Sequence, residues 1–526
     1  MIMKADRAYY IIYLGVSAAV SYLLGLSGLI FFAIAAVIGY IVLIAEIKAA
    51  PTTRPSRWLL LLPLIIFFSS RALPFIRYGS HPLGYDTGFY ERNITRERER
   101  ISAPSAGLTL GALTRLQQTL ELSETESIGS RIITYALIRL GFSDRAILYY
   151  FYIFCGAVLG LAIWLLARRD FGETAASFSV FLYSLSYTQF LAYWEMYWKN
   201  IVALALSLFA FLLLERGGRW RYLISFVLLA LIFLTHKTTA FVVFLSVLIY
   251  LIIRRERSWQ YVLAALLLFG AGTAWLNRGL LEYLVEQLQS GFTAHYDFFG
   301  VKEGLFISGI EYLRLAFFYL PFGLIGAINQ IKTKKISLPL TLFIVSAILV
   351  CSQFVFYKRI LVYFDLSLIL FAGAGMTAFF GIVRQKAGRL FAIAAIMILF
   401  SLAGAFFAVG VGAQAPLVND EEIKGITAIK DIEPATAVWT IDSYFTPWLY
   451  GFSGHKLIAP GWGDLRWTFD DWQKFWAADG KERLRLLKRF DQPLLIFMPG
   501  TSIDPEGKCL EKISIYFYLF DHLCDP

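Results

Sequence analysis

Apolar residues occur along this chain in long runs that are separated by short polar segments. The runs are rich in Leu, Ile, Phe and Ala, and most are long enough to cross the roughly 30 Å hydrocarbon core of a bilayer. Only helices and closed barrels satisfy their backbone hydrogen bonds there, so the pattern predicts a polytopic α-helical membrane protein. We predict about thirteen spans: 8–25, 28–46, 57–76, 146–167, 173–192, 199–214, 220–235, 237–253, 259–277, 310–329, 337–356, 359–381 and 389–410.

The polar segments between the spans alternate in charge. Every second segment is basic, and basic connections stay on the cytoplasmic side of a membrane. This predicts a cytoplasmic N-terminus and places the loop 77–145, the loop 278–309 and the tail after 411 outside. The basic segments contain Lys48, Arg54, Arg57, Arg168, Arg169, Arg216, Arg219, Arg221, Arg254, Arg255, Arg257, Lys332, Lys334, Lys335, Arg384, Lys386 and Arg389. The short outer connections contain Lys199, Lys237, Lys358 and Arg359.

Composition agrees with this class of protein. Hydrophobic residues make up 58% of the 526 residues and charged residues 16%, whereas a soluble chain of this length would carry more charge. The net charge of +10 is largely located in the cytoplasmic segments, so it does not indicate nucleic-acid binding. The first span lacks a small-residue cleavage site, which favours a retained helix over a signal peptide. We therefore predict an extra N-terminal hairpin (1–56), a membrane domain (57–410) and an external C-terminal α/β domain (411–526).

The first outer loop holds an acidic residue in an unusual setting. Asp86 lies between Gly84 and Gly88, with Tyr85 and Tyr90 nearby. We predict that the glycines let the backbone turn on either side of the carboxyl group. Tyrosines suit a surface that is half wet and half apolar. An ordinary surface loop is the alternative interpretation.

Two further segments of this loop have helical patterns. The run 91–100 alternates acids and bases, which predicts a solvated helix face. The apolar spacing of 128–140 predicts a helix along the membrane interface. Asn93-Ile94-Thr95 matches a glycosylation sequon, which we interpret as a chance match.

The tail differs from the rest of the chain in composition. The segments 435–441 and 493–498 predict buried strands, and 421–431 and 481–490 predict helices, which together indicate a small α/β domain.

The cysteines fall in two groups. Cys155 and Cys351 lie inside predicted spans and are predicted to be small core residues, whereas Cys509 and Cys524 share the tail and are predicted to pair. The sequence contains no zinc-type cysteine spacing, Walker loop, dinucleotide glycine fingerprint or nucleophile elbow.

Several polar residues fall at or near the outer ends of predicted spans, where polar groups are costly and informative. Taken singly, each residue has a simple explanation: a long basic side chain can reach from the membrane to the interface, and a histidine can form hydrogen bonds at the end of a helix. Together, the acids suit activation of a hydroxyl or binding of a divalent metal, Mg²⁺ or Mn²⁺, and the bases suit a phosphate. The residues are Asp86, Glu195, Lys199, His236, Lys237, Arg314, Lys358, Arg359 and Asp365.

In their order and topology these features resemble the GT-C superfamily of integral-membrane glycosyltransferases. The chain is similar to the group that contains dolichyl-phosphate-mannose protein mannosyltransferases and oligosaccharyltransferases, which take sugars from polyprenyl-phosphate carriers on the non-cytoplasmic face. Two features depart from the family pattern: the leading hairpin, and a second acidic motif that contains a single acid, Glu195. The tail also lacks the Trp-Trp-Asp-Tyr-Gly motif of oligosaccharyltransferases. The matching segments are Gly84–Tyr90, Trp194–Asn200, Thr235–Lys237, Tyr357–Leu361 and Ser443–Tyr450.

The resemblance implies roles for the polar residues. Asp86 would be the general base on the acceptor, assisted by Glu195, and these two acids would be the metal ligands if a metal is used. The loop 278–309 would be a lid that orders when the lipid donor binds. The partners would be a polyprenyl-phosphate sugar, a lipid, glycan or protein acceptor, and membrane lipids. The residues that would bind the donor phosphate are Arg359, Lys237, His236, Lys358 and Arg314.

Two other classes of function remain open from the sequence. A transporter or flippase for a lipid-linked or envelope precursor would have polar groups at the bilayer midplane and paired internal repeats, and neither is evident. A non-catalytic scaffold would have its acidic and basic groups scattered in space.

Overall fold

The computed structural model describes most of the membrane region and most of the tail. The predicted span 259–277 lies outside the described residues, as do most of the span 28–46 and the loop 278–309 up to residue 305. The described residues are 2–24, 33–38, 40–41, 58–79, 81–102, 128–254, 306–333, 335–354, 357–432, 437–441, 444–460, 462–463, 467, 469–490, 492–498 and 509–523.

Helices make up nearly all of the described residues before 414. They are α1 (Ile2–Leu24), α2 (Trp58–Tyr78), α3 (Thr87–Ser102), α4 (Ile128–Arg139), α5 (Phe151–Phe171, preceded by a π-helical turn Ala146–Tyr150), α6 (Glu173–Leu185), α7 (Tyr187–Trp194), α8 (Trp198–Arg216), α9 (Arg219–Thr235), α10 (Lys237–Arg254), α11 (Gly309–Ala316), α12 (Leu320–Lys332), α13 (Leu338–Cys351), α14 (Tyr357–Ala387) and α15 (Arg389–Ala413).

The prediction of a polytopic helical membrane protein is confirmed. Within the described ranges six helices are long and apolar enough to cross a membrane, or seven if a bent pair counts as one span. Each of them overlaps a predicted span, but they do not establish the predicted number of thirteen. They are Leu61–Tyr78, Ala146–Phe171, Trp198–Arg216, Lys237–Arg254, Tyr357–Ala387, Arg389–Ala413 and the pair Gly309–Ala316 with Leu320–Lys332.

Two predicted spans are each divided into two helices in the structure. The span 173–192 divides at Ser186, whose hydroxyl accepts the backbone N–H of Gln189 at 3.1 Å and so caps α7. The span 310–329 divides into α11 and α12, which are bent by 90°. Pro321, in the first turn of α12, has no N–H to leave unpaired, and this favours a new helix start there.

Helix α14 is central to the bundle and packs against α6, α12 and α13. Glycines bring the backbones close together. A Cβ on Gly375 would lie 2.1 Å from the carbonyl oxygen of Phe322, and one on Gly326 would lie 2.0 Å from that of Phe371. Small residues allow such contacts between helices in lipid, where hydrophobic driving force is absent. Tight packing therefore fixes the position of α14, which carries Arg359 near its first residue.

The tail forms a six-stranded sheet with helices, as the sequence predicts. The order is β3-β2-β1-β4-β6-β5, in which β1 pairs in parallel with β2 and β4 and the other pairs are antiparallel. The predicted strands are β1 and β4, and the predicted helices are α16 and α19, each extended by a 3₁₀ turn. The elements are α16 (Asp420–Ala428), β1 (Ala437–Thr440), α17 (Thr446–Phe452), β2 (Leu457–Ala459), β3 (Trp462–Gly463), α18 (Phe469–Ala477), α19 (Gly480–Leu487), β4 (Leu494–Phe497), β5 (Leu510–Lys512) and β6 (Phe517–Phe520).

Helix α3 corrects the prediction of a solvated face. One of its faces is buried, including Asn93 at 1% exposure, so the sequon is not accessible to a modifying enzyme. Burial extends to Glu97, whose Oε1 accepts hydrogen bonds from Arg131 Nε and Nη2 at 3.1 and 3.0 Å. The periodicity of charges alone did not reveal this ion pair to α4. On α4 itself, Ile132 is 56% exposed, in keeping with the predicted interfacial helix.

The cysteines partly follow the prediction. Cys155 is free and buried, whereas Cys351 is free but exposed, because it is the last residue of α13 and not a core residue. Cys509 is disulfide-bonded. Cys524, its predicted partner, lies outside the described residues.

Candidate active site

The Asp86 loop packs directly on the corner between α7 and α8. A Cβ on Gly84 would lie 2.1 Å from the carbonyl oxygen of Trp194 and 2.3 Å from Cα of Glu195. Gly84 and Gly88 are both described, and neither has a positive φ. The backbone does turn here, since the Thr87 N–H donates to the Gly84 carbonyl oxygen at 3.3 Å. The two glycines do not supply this turn through a left-handed conformation. They are needed because two backbones touch.

The corner residue Glu195 is hydrogen-bonded to this loop. The backbone N–H of Tyr85 donates to Glu195 Oε2 at 3.0 Å, and the N–H of Asp86 donates to the Glu195 carbonyl oxygen at 3.3 Å. The next residue, Met196, is buried and has a φ of 62°. This left-handed conformation costs a non-glycine residue about 1–2 kcal/mol, and it interrupts the helical path between α7 and α8. The strained corner therefore holds the two acidic segments together.

Arg359 brings a positive charge to Asp86. Its Nη2 lies 3.7 Å from Asp86 Oδ1, and its guanidinium carbon lies 4.8 Å from the centroid of the Tyr197 ring. Arg359 Nε has no hydrogen-bond partner among the described residues. Nε itself is buried, but the side chain as a whole is 24% exposed, so the guanidinium group is open to an anionic ligand.

Lys199 also belongs to this site, although no specific role was predicted for it. Its Nζ lies 5.4 Å from the centroid of the Tyr90 ring, and its charge acts on Asp86. Lys199 lies four residues after Glu195 within the same motif. That closeness in sequence to Glu195 was the signal that pointed to it.

Burial dominates the electrostatics of the two acids. Burial raises the pKa of Asp86, and the charges of Arg359 and Lys199 oppose that increase. Burial also raises the pKa of Glu195, to about 7, against the hydrogen bond from the Tyr85 N–H, while the Asp86 charge raises it further. A carboxyl whose pKa lies near neutral pH suits general acid–base chemistry. The two acids therefore titrate as a coupled pair.

His236 lies at the edge of the same site. Its Nδ1 accepts the backbone N–H of Thr239 at 3.1 Å, which places the imidazole proton on Nε2. Burial, with the nearby charges of Lys199 and Arg359, lowers the pKa of His236 well below its ordinary value. The ring is therefore a neutral N–H donor at physiological pH.

The other predicted basic residues are placed differently. Lys237 begins α10 directly after His236. Lys358 and Arg314 both interact electrostatically with Glu311, near the start of α11. The structure thus brings Arg359 to the acids, whereas Lys358 and Arg314 share a different acidic partner.

The tail packs on the other side of the Asp86 loop. A Cβ on Gly88 would lie 1.8 Å from the carbonyl oxygen of Pro447, and one on Gly451 would lie 2.3 Å from that of Gly88. The Tyr85 ring meets the Trp448 ring edge to face, with centroids 5.6 Å apart. The backbones of helices α3 and α17 are therefore in contact, and the tail fixes the Asp86 loop on the side opposite the α7–α8 corner.

The described residues do not fit a divalent-metal site. Asp86 faces a guanidinium group, and Glu195 Oε2 accepts a backbone N–H. No group of three or more His, Cys, Asp or Glu side chains suited to a metal ion occurs within the described ranges. Because Mg²⁺ and Mn²⁺ prefer several oxygen ligands, no step below is assigned to a metal.

A family of transferases matches part of this region. The model of the family described as dolichyl-phosphate-mannose-protein mannosyltransferase matches residues 131–275. This segment includes Glu195, Lys199 and His236 but neither Asp86 nor Arg359. No curated protein sequence matches the chain.

The matching family model and the folds of solved structures both agree with the resemblance to the GT-C integral-membrane glycosyltransferases. The resemblance drawn from the sequence is therefore confirmed. The chain is similar to the archaeal oligosaccharyltransferase AglB from Archaeoglobus fulgidus in complex with an inhibitory peptide and a dolichol-phosphate. The TM-score is 0.53 at 14% identity, over 84% of this chain and 69% of AglB. It is also similar to ArnT from Cupriavidus metallidurans bound to undecaprenyl phosphate, with a TM-score of 0.50 at 13% identity, over 88% of this chain and 97% of ArnT.

Proposed function

We propose that this protein is a membrane glycosyltransferase that takes a sugar from a polyprenyl-phosphate-linked donor on the non-cytoplasmic face. One observation carries the proposal: Asp86, Glu195 and Arg359, from three separate segments, lie in one buried polar site. A carboxyl group beside a guanidinium supplies a base for the acceptor and a cation for the donor phosphate. A donor with a lipid tail suits a site that lies where apolar helices end.

In the proposed reaction Asp86 takes the proton from an acceptor hydroxyl, assisted by Glu195. The acceptor oxygen attacks the anomeric carbon, and the new C–O bond forms as the bond from that carbon to the phosphate oxygen breaks. The bonding electron pair leaves with the phosphate. Attack from the face opposite the leaving group makes the reaction inverting.

The donor phosphate gains negative charge as it leaves, so cations act most strongly in the transition state. Arg359 is the principal phosphate ligand in this proposal, and Lys199 joins it. His236 and Lys237 border the same position. Lys358 and Arg314 contribute less to phosphate binding in this proposal, because Glu311 balances part of their charge.

The partners in this proposal are a polyprenyl-phosphate sugar, membrane lipids and an acceptor that is a lipid, a glycan or a protein. The similarity to proteins solved with dolichol-phosphate and undecaprenyl phosphate supports the donor class. We further propose that 57–410 is the catalytic membrane domain, 1–56 an additional hairpin and 411–526 an external domain. The protein is then integral to the plasma membrane with a cytoplasmic N-terminus.

Reporter fusions test this topology. We expect a reporter placed after residue 217 or 256 to be cytoplasmic, because these connections are basic, and one placed after residue 420 to be external. The two cytoplasmic positions serve as internal controls for the third. A cytoplasmic reporter at 420 would contradict both the topology and the proposed site of reaction.

The proposed activity is tested with purified protein, a set of polyprenyl-phosphate sugars and candidate acceptors. We expect the formation of free polyprenyl phosphate together with a glycosylated acceptor. Movement of intact lipid-linked sugar across a vesicle membrane, without cleavage, would instead identify a flippase.

The raised pKa values predict the pH dependence of the proposed reaction. A general base acts when ionised, and burial raises the pKa of Asp86, so we expect kcat/KM to rise with pH through a limb that lies above the pKa of an ordinary aspartate. The charge that Glu195 gains near its own pKa of about 7 moves this limb further up. Glu195→Gln removes the negative charge beside Asp86. It is therefore expected to shift the rise of kcat/KM to lower pH. An unchanged limb in Glu195→Gln would show that the pair does not control the rate.

A further inference from the structure

Another buried carboxyl group lies deeper in the bundle, apart from the site of Asp86 and Arg359. Asp365 is fully buried on α14, six residues after Arg359, which corresponds to about 9 Å along the helix. Its Oδ2 accepts hydrogen bonds from the Ser186 hydroxyl at 2.8 Å and from Gln189 Nε2 at 2.9 Å. Its Oδ1 accepts hydrogen bonds from the hydroxyls of Tyr312, at 3.2 Å, and Tyr319. Four donors therefore satisfy this carboxyl group.

These donors come from the two places where the predicted spans are broken. Ser186 and Gln189 form the start of α7, which ends at Trp194, directly before Glu195. Tyr312 lies on α11, and Tyr319 lies in the bend between α11 and α12. One carboxyl group thus joins both helix breaks to the helix that carries Arg359.

We propose that Asp365 is a positioning residue for the transfer site. It fixes α7 and α14 relative to each other, and through them the spacing between Glu195 and Arg359. Its bonds to Tyr312 and Tyr319 also set the direction in which α11 leaves the bundle. This role rests on the proposed function, because the geometry that it holds is that of the proposed reaction.

The arrangement predicts that shape and hydrogen bonding matter more than the charge of Asp365. If Asp365 is replaced by Asn, the two tyrosines still donate to the Asn oxygen, and the Ser186 hydroxyl can accept a hydrogen bond from the new NH₂ group. The Gln189 NH₂ group keeps its hydrogen bond to the Val362 carbonyl oxygen at 3.0 Å. Asp365→Leu removes the acceptor that all four donors share.

Kinetics of three variants test this role. A small displacement of reacting groups costs about 10²-fold, so we expect Asp365→Leu to lower kcat by about 10-fold to 100-fold with a smaller change in donor KM. Asp365→Asn should recover most of that loss. The matched control is Glu215→Leu, which removes another buried carboxyl group, at the end of α8 far from Lys199. Glu215→Leu should lower thermal stability but leave kcat unchanged.

A second measurement keeps the role testable without transfer activity. Backbone hydrogen exchange of 187–194 and 309–319 should be faster in Asp365→Leu than in the wild type. Tyr319→Phe, which removes a single donor, should show the same change and serves as the test if the leucine variant does not fold. Exchange near 210–216 should stay unchanged. Equal exchange in variant and wild type, or a kcat loss in Glu215→Leu as large as in Asp365→Leu, would overturn the role. Absence of transfer by the wild type, with the exchange difference present, would refute the proposed function and not the positioning.

Discussion

Asp86→Asn is expected to lower the turnover of sugar transfer by about 10²-fold to 10⁴-fold, the usual contribution of a general base. Asn keeps the size of the side chain and its acceptor oxygen, so the loop should retain its contacts. The substitution removes the charge and the ability to take a proton. Donor binding and folding should therefore change little, and the loss should appear in kcat. Turnover and donor binding of the purified variant check this expectation.

Asp144→Asn is the matched control for this experiment. Asp144 is an acid of the same predicted outer loop, 45% exposed and paired with Arg98 at the protein surface. We expect its replacement to leave turnover unchanged, since an exposed ion pair contributes little. Similar losses in the two variants would mean that the loop needs acidic charge in general and not a base at position 86.

Arg359→Ala is expected to lower kcat/KM for the donor by about 10²-fold to 10³-fold. The guanidinium would hold the phosphate in the ground state and stabilise its growing charge in the transition state, so both donor binding and turnover should weaken. Arg359→Lys should recover only part of the loss, because an ammonium group lacks the planar, forked set of donors. Steady-state kinetics with the donor as the varied substrate measure these effects.

Lys358→Ala is the matched control, since it removes the neighbouring basic residue from the same helix. Lys358 interacts electrostatically with Glu311, whose charge balances part of its own, so we expect a loss of less than about 10-fold. A larger loss in Lys358→Ala than in Arg359→Ala would reverse the assignment of the principal phosphate ligand.

The membrane region followed from the sequence because span length and hydrophobicity are local properties. The strands of the tail were predictable for the same reason, because short apolar runs indicate buried strands. The breaks at Ser186 and before Pro321 did not follow. Each depends on partners from elsewhere in the chain, above all the Asp365 carboxyl group that accepts hydrogen bonds from both regions. A run of apolar residues does not show that its few polar side chains will bind a group from a distant part of the chain.

The site was predictable in part for the same reason. Depth in the membrane and spacing within short motifs singled out Asp86, Glu195 and Arg359, which the structure brings together. The reason for Gly84 and the contact of Lys199 with Tyr90 were not predictable in this way. Gly84 is needed where the backbone of another segment touches it, and Lys199 matters through its distance from Tyr90. Both are properties of packing between segments far apart in sequence.

The central claim is that Asp86 and Arg359 perform one chemical step on a bound lipid-linked sugar. A single-turnover measurement tests it most directly: wild type and Asp86→Asn are each saturated with the same polyprenyl-phosphate sugar, acceptor is added, and the release of polyprenyl phosphate is followed. We predict rapid release by the wild type, and release at least about 100-fold slower by Asp86→Asn with the same amount of bound donor. Release at equal rates, with equal donor bound, would contradict the assignment of Asp86 as the base.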